Sequence, residues 1–332
     1  MSDGFNLRLR RPRPSVVACS PTLGALGAVN LMPACFAKED ALEARIARSS
    51  RRRRAVSVLL RWLTYAAATV TAAVLLFVVG YILVRGVPAL TPDLFQWEYT
   101  SENVSLLPAL ASTVIMALLA LALAVPVGVG AAIYLVEYAR RGSRFVRLVR
   151  VTAETLQGIP SIIYGLFGML FFVTACGWGL SFLSGACTLA IMVLPVIMRT
   201  TEEALMAVPD SYREGGFGLG AGRLRTVARC VLPSAVPGIF GGVILALGRC
   251  VGEVAALLFT AGTVAQIPDF AGQGIFALFD SCRTLAVHMY TLACEGLHVN
   301  EAYATSVVLL ILVLLLNAAM RVVAQKMEVS KK

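Results

Sequence analysis

Six long apolar runs, separated by polar segments of unequal length, organise the chain from residue 62 onward. The first runs from about Trp62 to Val84, bracketed by Arg61 and Arg85, with Trp62, Tyr65 and Tyr81 where interfacial aromatics belong. The second, about Pro108 to Tyr134, carries Pro126, Gly128 and Gly130 and is expected to kink. The third covers about Thr155 to Ala175, and a turn at Gly177-Trp178-Gly179 leads to the fourth, about Phe182 to Met198. The fifth covers about Val236 to Thr260 and the sixth about Ala304 to Val323. Each holds close to the ~20 residues that a helix needs to cross a hydrocarbon layer about 30 Å thick. The pattern predicts an all-α polytopic membrane protein.

One polar stretch between these runs has its own helix punctuation. In the loop from Glu202 to Pro233, Pro209 and Asp210 break what precedes. Ser211 and Glu214 then stand in the spacing of a capping box, and Gly220 is placed to end a helix in the left-handed conformation. A second short run, Arg223 to Val231, is expected to stop at Pro233, which has no amide proton. The segment reads as helix, glycine turn, helix. Gly215, Gly216 and Gly218 fall inside the first of these helices, each costing about 1 kcal/mol relative to alanine.

Composition and charge agree with the apolar pattern and add a direction. The chain of 332 residues is 58% hydrophobic and only 14% charged, where a soluble domain is nearer a quarter charged. Its net charge of +10 is distributed as a topology signal rather than as a nucleic-acid surface. The loop after the second run holds Arg140, Arg141, Arg144, Arg147 and Arg150 with no acid, and the loop after the fourth holds Arg199, Arg213, Arg223, Arg225 and Arg229. The alternate loops, 85–107 and 261–303, carry more acids than bases. Basic loops mark the cytoplasmic side, so both termini and the 202–233 loop are expected inside. Residues 1–60 read as a basic, flexible cytoplasmic extension, and 61–327 as the membrane domain. Val16 to Ala37 is uncharged, but it carries Pro21, Pro33, Gly24 and Gly27 and lacks the apolar density of a span.

The residues exclude a self-contained energy source. Of the four lysines, Lys38, Lys326, Lys331 and Lys332, none follows a glycine, so the phosphate-cradling G-x-x-x-x-G-K-[ST] loop is absent. No catalytic triad is visible, no C-x-x-C pair occurs among the eight cysteines, and His288 and His298 both lie in one outer loop. No metal site is expected; Cys282 and Cys294 share one loop and are read either as a pair, if that loop faces an oxidising compartment, or as free thiols, the preferred reading. Charges inside the apolar runs carry more information. Arg249 and Glu253, four apart, are expected on one helix face, with Arg199 at the end of the fourth run. Two readings stand: an anion path lined by the arginines, with Glu253 tempering the field, or a neutralised structural pair. Ser161 and Tyr164, after Pro160 at the start of the third run, are candidates to present hydroxyls to the same path, or to bond within their own helix.

The 202–233 segment resembles the coupling motif of ABC-importer permeases. Glu214, Gly215, Gly216, Gly220, Cys230, Leu232 and Pro233 stand at its spacing, with glycines in place of the usual alanine pair and Cys230 in place of isoleucine. Longer stretches, GVPALTPDLF, YLVEYARRG, GIPSIIYGLFGMLFF, ILALGRCVGEVAALLFTAG and SCRTLAVHMY among them, resemble the PstA-type permeases of bacterial phosphate-specific ABC importers over roughly residues 60–327. That resemblance implies the six-helix type I importer permease fold with a cytoplasmic coupling helix, in a bacterial inner membrane. It implies a transport subunit that binds no cofactor, with ATP and Mg on a partner ATPase. It also implies a second homologous permease subunit, two copies of the ATPase and an external phosphate-binding protein. By the same resemblance Arg199, Arg249 and Glu253 matter for transport. Sulfate, molybdate or a phosphonate remain alternative substrates, and an ion-coupled carrier is the more distant rival.

Overall fold

The computed structural model describes the backbone of residues 28–329 apart from Ser101, Arg141 and residues 268–271, and side chains from residue 56 to 325 within that stretch. Every long element is a helix. The chain divides into two units, residues 1–76 and 77–332.

Helix α1, Ala28–Gly86, fills the described part of the first unit and ends in the second. The sequence suggested a flexible basic extension up to residue 60. Its first 27 residues lie outside the described ones, but from Ala28 the backbone is helical. The reason is local: AKEDALEARIAR is made almost wholly of strong helix formers. Within α1 the hydroxyls of Thr64, Thr69 and Thr71 donate to the carbonyls four residues back at 2.8–2.9 Å. That satisfies polar groups in a segment whose apolar side chains are exposed.

In the second unit α2, Leu107–Ile133, continues through a wider turn at Tyr134–Tyr138. Next come α3, Arg144–Gln157, and α4, Ser161–Gly168, which is extended by a wide turn at Met169–Ala175. Then follow α5, Phe182–Met206, the short α6, Asp210–Gly218, and α7, Arg223–Thr226. After the turn Val227–Val231 come α8, Leu232–Val251, and α9, Ala255–Thr260. Helices α10, Leu285–Glu295, and α11, Val299–Val329, complete the chain. The central core joins α2, α5 and α8 through Met116, Ala120, Leu189, Val193, Ala246 and Leu247. Small residues on all three, among them Ala117, Ala124, Ala186 and Ala190, let the helices approach closely.

Five described helices are long and apolar enough to cross a membrane, and α3 with α4 makes a sixth crossing if the bent pair is one span. Three expected boundaries change. The third run is not a straight helix from Thr155: α3 and α4 meet at 102° across Gly158-Ile159-Pro160, where Pro160 disfavours helix at the residue before it. The fifth run is longer at one end and interrupted at the other. It is continuous from Arg223 through Pro233 to Val251, then breaks at Gly252-Glu253-Val254 before α9. Pro233 does not stop it, because the wide turn before it passes the Leu232 amide to the Val227 carbonyl and places the proline in the first turn of α8. The fourth helix reaches Met206, eight residues past Met198 and well into the expected loop.

At the end of the bundle remote from α6, Leu94, Leu106 and Leu285 form a smaller core. His288 of α10 is fully buried there, its ring edge-on to Tyr99 at 6.1 Å, with the Arg283 guanidinium 4.9 Å from the same Tyr99 ring. Burial first, and Arg283 second, push the imidazole down to about 4. A folded-state value below the usual 6.5 means that this group stabilises fully above pH 6.5 and loses that contribution as the pH falls toward 4. The thermal midpoint of the detergent-solubilised protein should therefore drop across that window. His288→Phe should remove part of the drop, by up to about 3 kcal/mol at the acid end. Identical acid limbs for the two proteins would refute the assignment. In the same region Cys282 is a buried free thiol and Cys294 an exposed one.

Candidate functional site

The helix expected between Asp210 and Gly220 is present as α6. Its start differs from the expected capping box: Pro209 is the N-cap, Asp210 lies in the first turn, and no side chain caps the end. Proline fixes the entry angle, and Asp210 faces the positive end of the helix, so the Ser211 and Glu214 side chains are left free of that task. The far end closes as the sequence predicts. Gly220 has φ +78°, its amide bonds the Phe217 carbonyl at 2.9 Å and the Ala221 amide bonds Gly216 at 3.1 Å, which is the Schellman pair. The two glycines of the motif have opposite environments. Gly215 is open to solvent, whereas a Cβ on Gly216 would lie 2.7 Å from the Thr226 methyl of α7. Gly216 is therefore a packing glycine that brings α6 against α7. Glu214, Tyr212, Phe217 and Leu219 face outward, the last 91% exposed, beside Leu224 at 73%. Leu232 and Pro233 are half-buried in the first turn of α8.

A buried ion pair holds α6 to the bundle. Arg213 Nη2 lies 2.7 Å from Glu137 Oε1, with side-chain exposures of 15% and 7%. Hydrogen bonding to Glu137 raises the Arg213 pKa. A second pair joins Arg150 of α3 to the buried Glu202 of α5. Neither pair was foreseen from the sequence. The available signal was Glu137 itself, an acid at the end of the apolar run YLVEY, and an acid in such a position seeks a partner.

The residues expected on an anion path do not all meet. Arg199 is half exposed and engaged with Glu203 at 3.1 Å and Glu154 at 3.6 Å. Thr200, beside it, packs on Gly242 of α8. Arg249 is seven residues further along α8, roughly 10 Å by the rise of a helix. Arg249 and Glu253 do not share a helix face either, because α8 ends at Val251 between them. Glu253 Oε1 instead accepts from the Ala256 amide at 3.3 Å, at the start of α9. Among the described residues Arg249 forms no ion pair.

The two helix breaks meet close to that arginine. Gly165 of α4 packs directly on the backbone of Ala256 in α9. Ser161 and Gly252 each precede that contact by four residues, which puts both interruptions near one depth. Ser161 is half-buried in the first turn of α4. Tyr164 is buried, and its hydroxyl donates to the Leu156 carbonyl at 2.8 Å, spending it on the end of α3 across the bend. The tyrosine thus clasps the bend, and its hydroxyl is not free to line a path. Gln157 Nε2 adds a bond to the Pro195 carbonyl of α5 at 3.1 Å.

Comparison with known proteins places this geometry. The probable ABC transporter permease protein YqgI of Bacillus subtilis (strain 168) is 35% identical over 268 residues, 76% of this chain and 90% of the relative. The phosphate transport system permease protein PstA of Mycobacterium leprae is 33% identical over 227 residues, 65% of this chain and 71% of the relative. Among solved structures, a bacterial ABC transporter involved in the import of the acidic polysaccharide alginate superposes with TM-score 0.54 at 18% identity, covering 78% of this chain and 95% of that one. Residues 124–329 match the family model for binding-protein-dependent transport system inner membrane components. The chain is a multi-pass membrane protein and belongs to that family.

Proposed function

We propose that this chain is a membrane-spanning permease subunit of an ATP-driven importer that carries inorganic phosphate into the cytoplasm. The observation that carries the substrate assignment is Arg249, an arginine with no ion-pair partner among the described residues, at the level where α4 and α9 both begin anew. A guanidinium offers planar paired donors suited to a phosphate oxyanion. The similarity to PstA of Mycobacterium leprae supports phosphate over other oxyanions.

In this reading the basic loops and both termini face the cytoplasm, and α6 seats in a partner ATPase that binds ATP and Mg. A second permease subunit and a phosphate-binding protein at the outer face complete the assembly. The outward residues of α6, with Leu219 at its C-terminal end the most exposed of them, are the contact that the ATPase covers. Leu219→Asp is expected to weaken ATPase binding about ten- to hundredfold, since a buried carboxylate would replace an apolar anchor. Co-purification of the ATPase subunit with the variant measures this, and wild-type recovery would refute the contact.

The substrate assignment is tested by ATP-dependent uptake of phosphate into proteoliposomes holding the full assembly, with sulfate, molybdate and a phosphonate as competitors. Phosphate should be the effective competitor. Preferred uptake of another oxyanion would move the assignment to that ion, and uptake without the ATPase would favour an ion-coupled carrier.

A further inference from the structure

Arg213 uses every donor it has. Its Nε bonds Glu137 Oε1 at 3.1 Å. Nη1 bonds the Val208 carbonyl at 2.8 Å and Asp210 Oδ1 at 3.1 Å. Nη2 bonds Glu137 Oε1 at 2.7 Å and the Leu205 carbonyl at 2.9 Å. These acceptors come from three elements. Glu137 stands in the wide turn Tyr134–Tyr138 that ends the second span. Leu205 lies in the last turn of α5, whose last carbonyls have no partner within the helix, and Val208 follows just beyond that end. Asp210 opens α6 itself. One planar group therefore ties the short helix to the ends of two spans, in a position only 15% exposed.

The geometry points to Arg213 and Glu137 as the joint that passes movement of α6 to α2 and α5, a positioning pair for transport rather than a contact with substrate or nucleotide. This rests on the reading of α6 as the element seated in the ATPase. Three features distinguish the pair from a surface salt bridge. It is buried, so water does not replace it when strained. It is forked, so α6 cannot swivel about a single bond. It also supplies donors to the α5 end, so that α6 and α5 move together. The wide turn that carries Glu137 is a local irregularity of the kind found at functional sites in helices.

The pair is tested in the complete assembly in proteoliposomes by two variants. Arg213→Lys keeps the charge but cannot reach Glu137 and both carbonyls at once, and Glu137→Gln keeps the shape but removes the charge. The readout is phosphate imported per ATP hydrolysed, with assembly followed by size-exclusion chromatography. Both variants should assemble and hydrolyse ATP while importing at least about tenfold less phosphate per ATP, with Arg213→Lys the more impaired. A wild-type ratio in an assembled variant overturns the proposal. So does a fall in assembly, hydrolysis and uptake in equal proportion, since that is the signature of a folding role alone. Failure of the unsubstituted assembly to show ATP-driven uptake would instead count against the functional reading, and the ratio would then be taken with whichever oxyanion the assembly carries.

Discussion

Arg249→Ala should cut ATP-driven phosphate uptake by roughly ten- to a hundredfold while leaving the assembly intact. A hydrogen bond to a charged group is worth about 1.5–3 kcal/mol, and a factor of ten in rate corresponds to about 1.4 kcal/mol. Removing the guanidinium strands no acid, because Glu253 is engaged with the Ala256 amide and not with Arg249. The variant therefore loses the positive charge without an added folding penalty. Arg249→Lys should fall between the two, keeping the charge and losing the planar paired donors. Glu253→Ala should cost about 1 kcal/mol through the start of α9 and reduce uptake less than Arg249→Ala does. Labelled phosphate uptake into proteoliposomes measures all three, and wild-type rates in Arg249→Ala would remove Arg249 from the path.

Gly165→Ala should destabilise the contact between α4 and α9, because the added methyl meets backbone. The added Cβ would stand 2.8 Å from Ala256 Cα and 3.1 Å from the Ala255 carbonyl oxygen. Both are backbone atoms, which cannot rotate away as a side chain can. Overpacking of this kind costs about 1–3 kcal/mol, a fall of roughly 2–10 °C in the thermal midpoint of a domain this size. Uptake should fall as well, since the displaced α4 carries Ser161 and Tyr164 beside the break near Arg249. Gly241→Ala is the control: no atom lies within 4 Å of its Cβ, so stability should hold or rise slightly. Equal midpoints for the two variants would show that the α4–α9 contact is looser than described.

Much of the fold was legible because its causes are local. Apolar runs of the right length mark the crossings, and Gly220 marks the end of α6, since only a residue tolerant of positive φ closes that turn cheaply. Prolines were read less well. Pro209 opened α6 where a capping box was expected, and Pro233 entered a helix it was expected to stop. In each case the neighbouring backbone supplied or rerouted the missing bond. The site was legible in residue type and not in arrangement. Arg249, Glu253, Ser161 and Tyr164 all lie near the two breaks, but Glu253 bonds its own backbone and Tyr164 clasps the bend.

The sequence by itself determined the membrane class, the place of the short helix α6 and the absence of a G-x-x-x-x-G-K-[ST] loop. These follow from hydropathy, spacing and the chemistry that particular residues must supply. Only the tertiary structure decided that Arg199 and Arg249 lie at different levels, that α4 and α9 restart side by side, and that Arg213 closes on Glu137, 76 positions earlier in the chain. A charge seeks its partner in space, and which distant carboxylate or carbonyl lies within 3 Å is set by helix packing, not by the residues on either side of it.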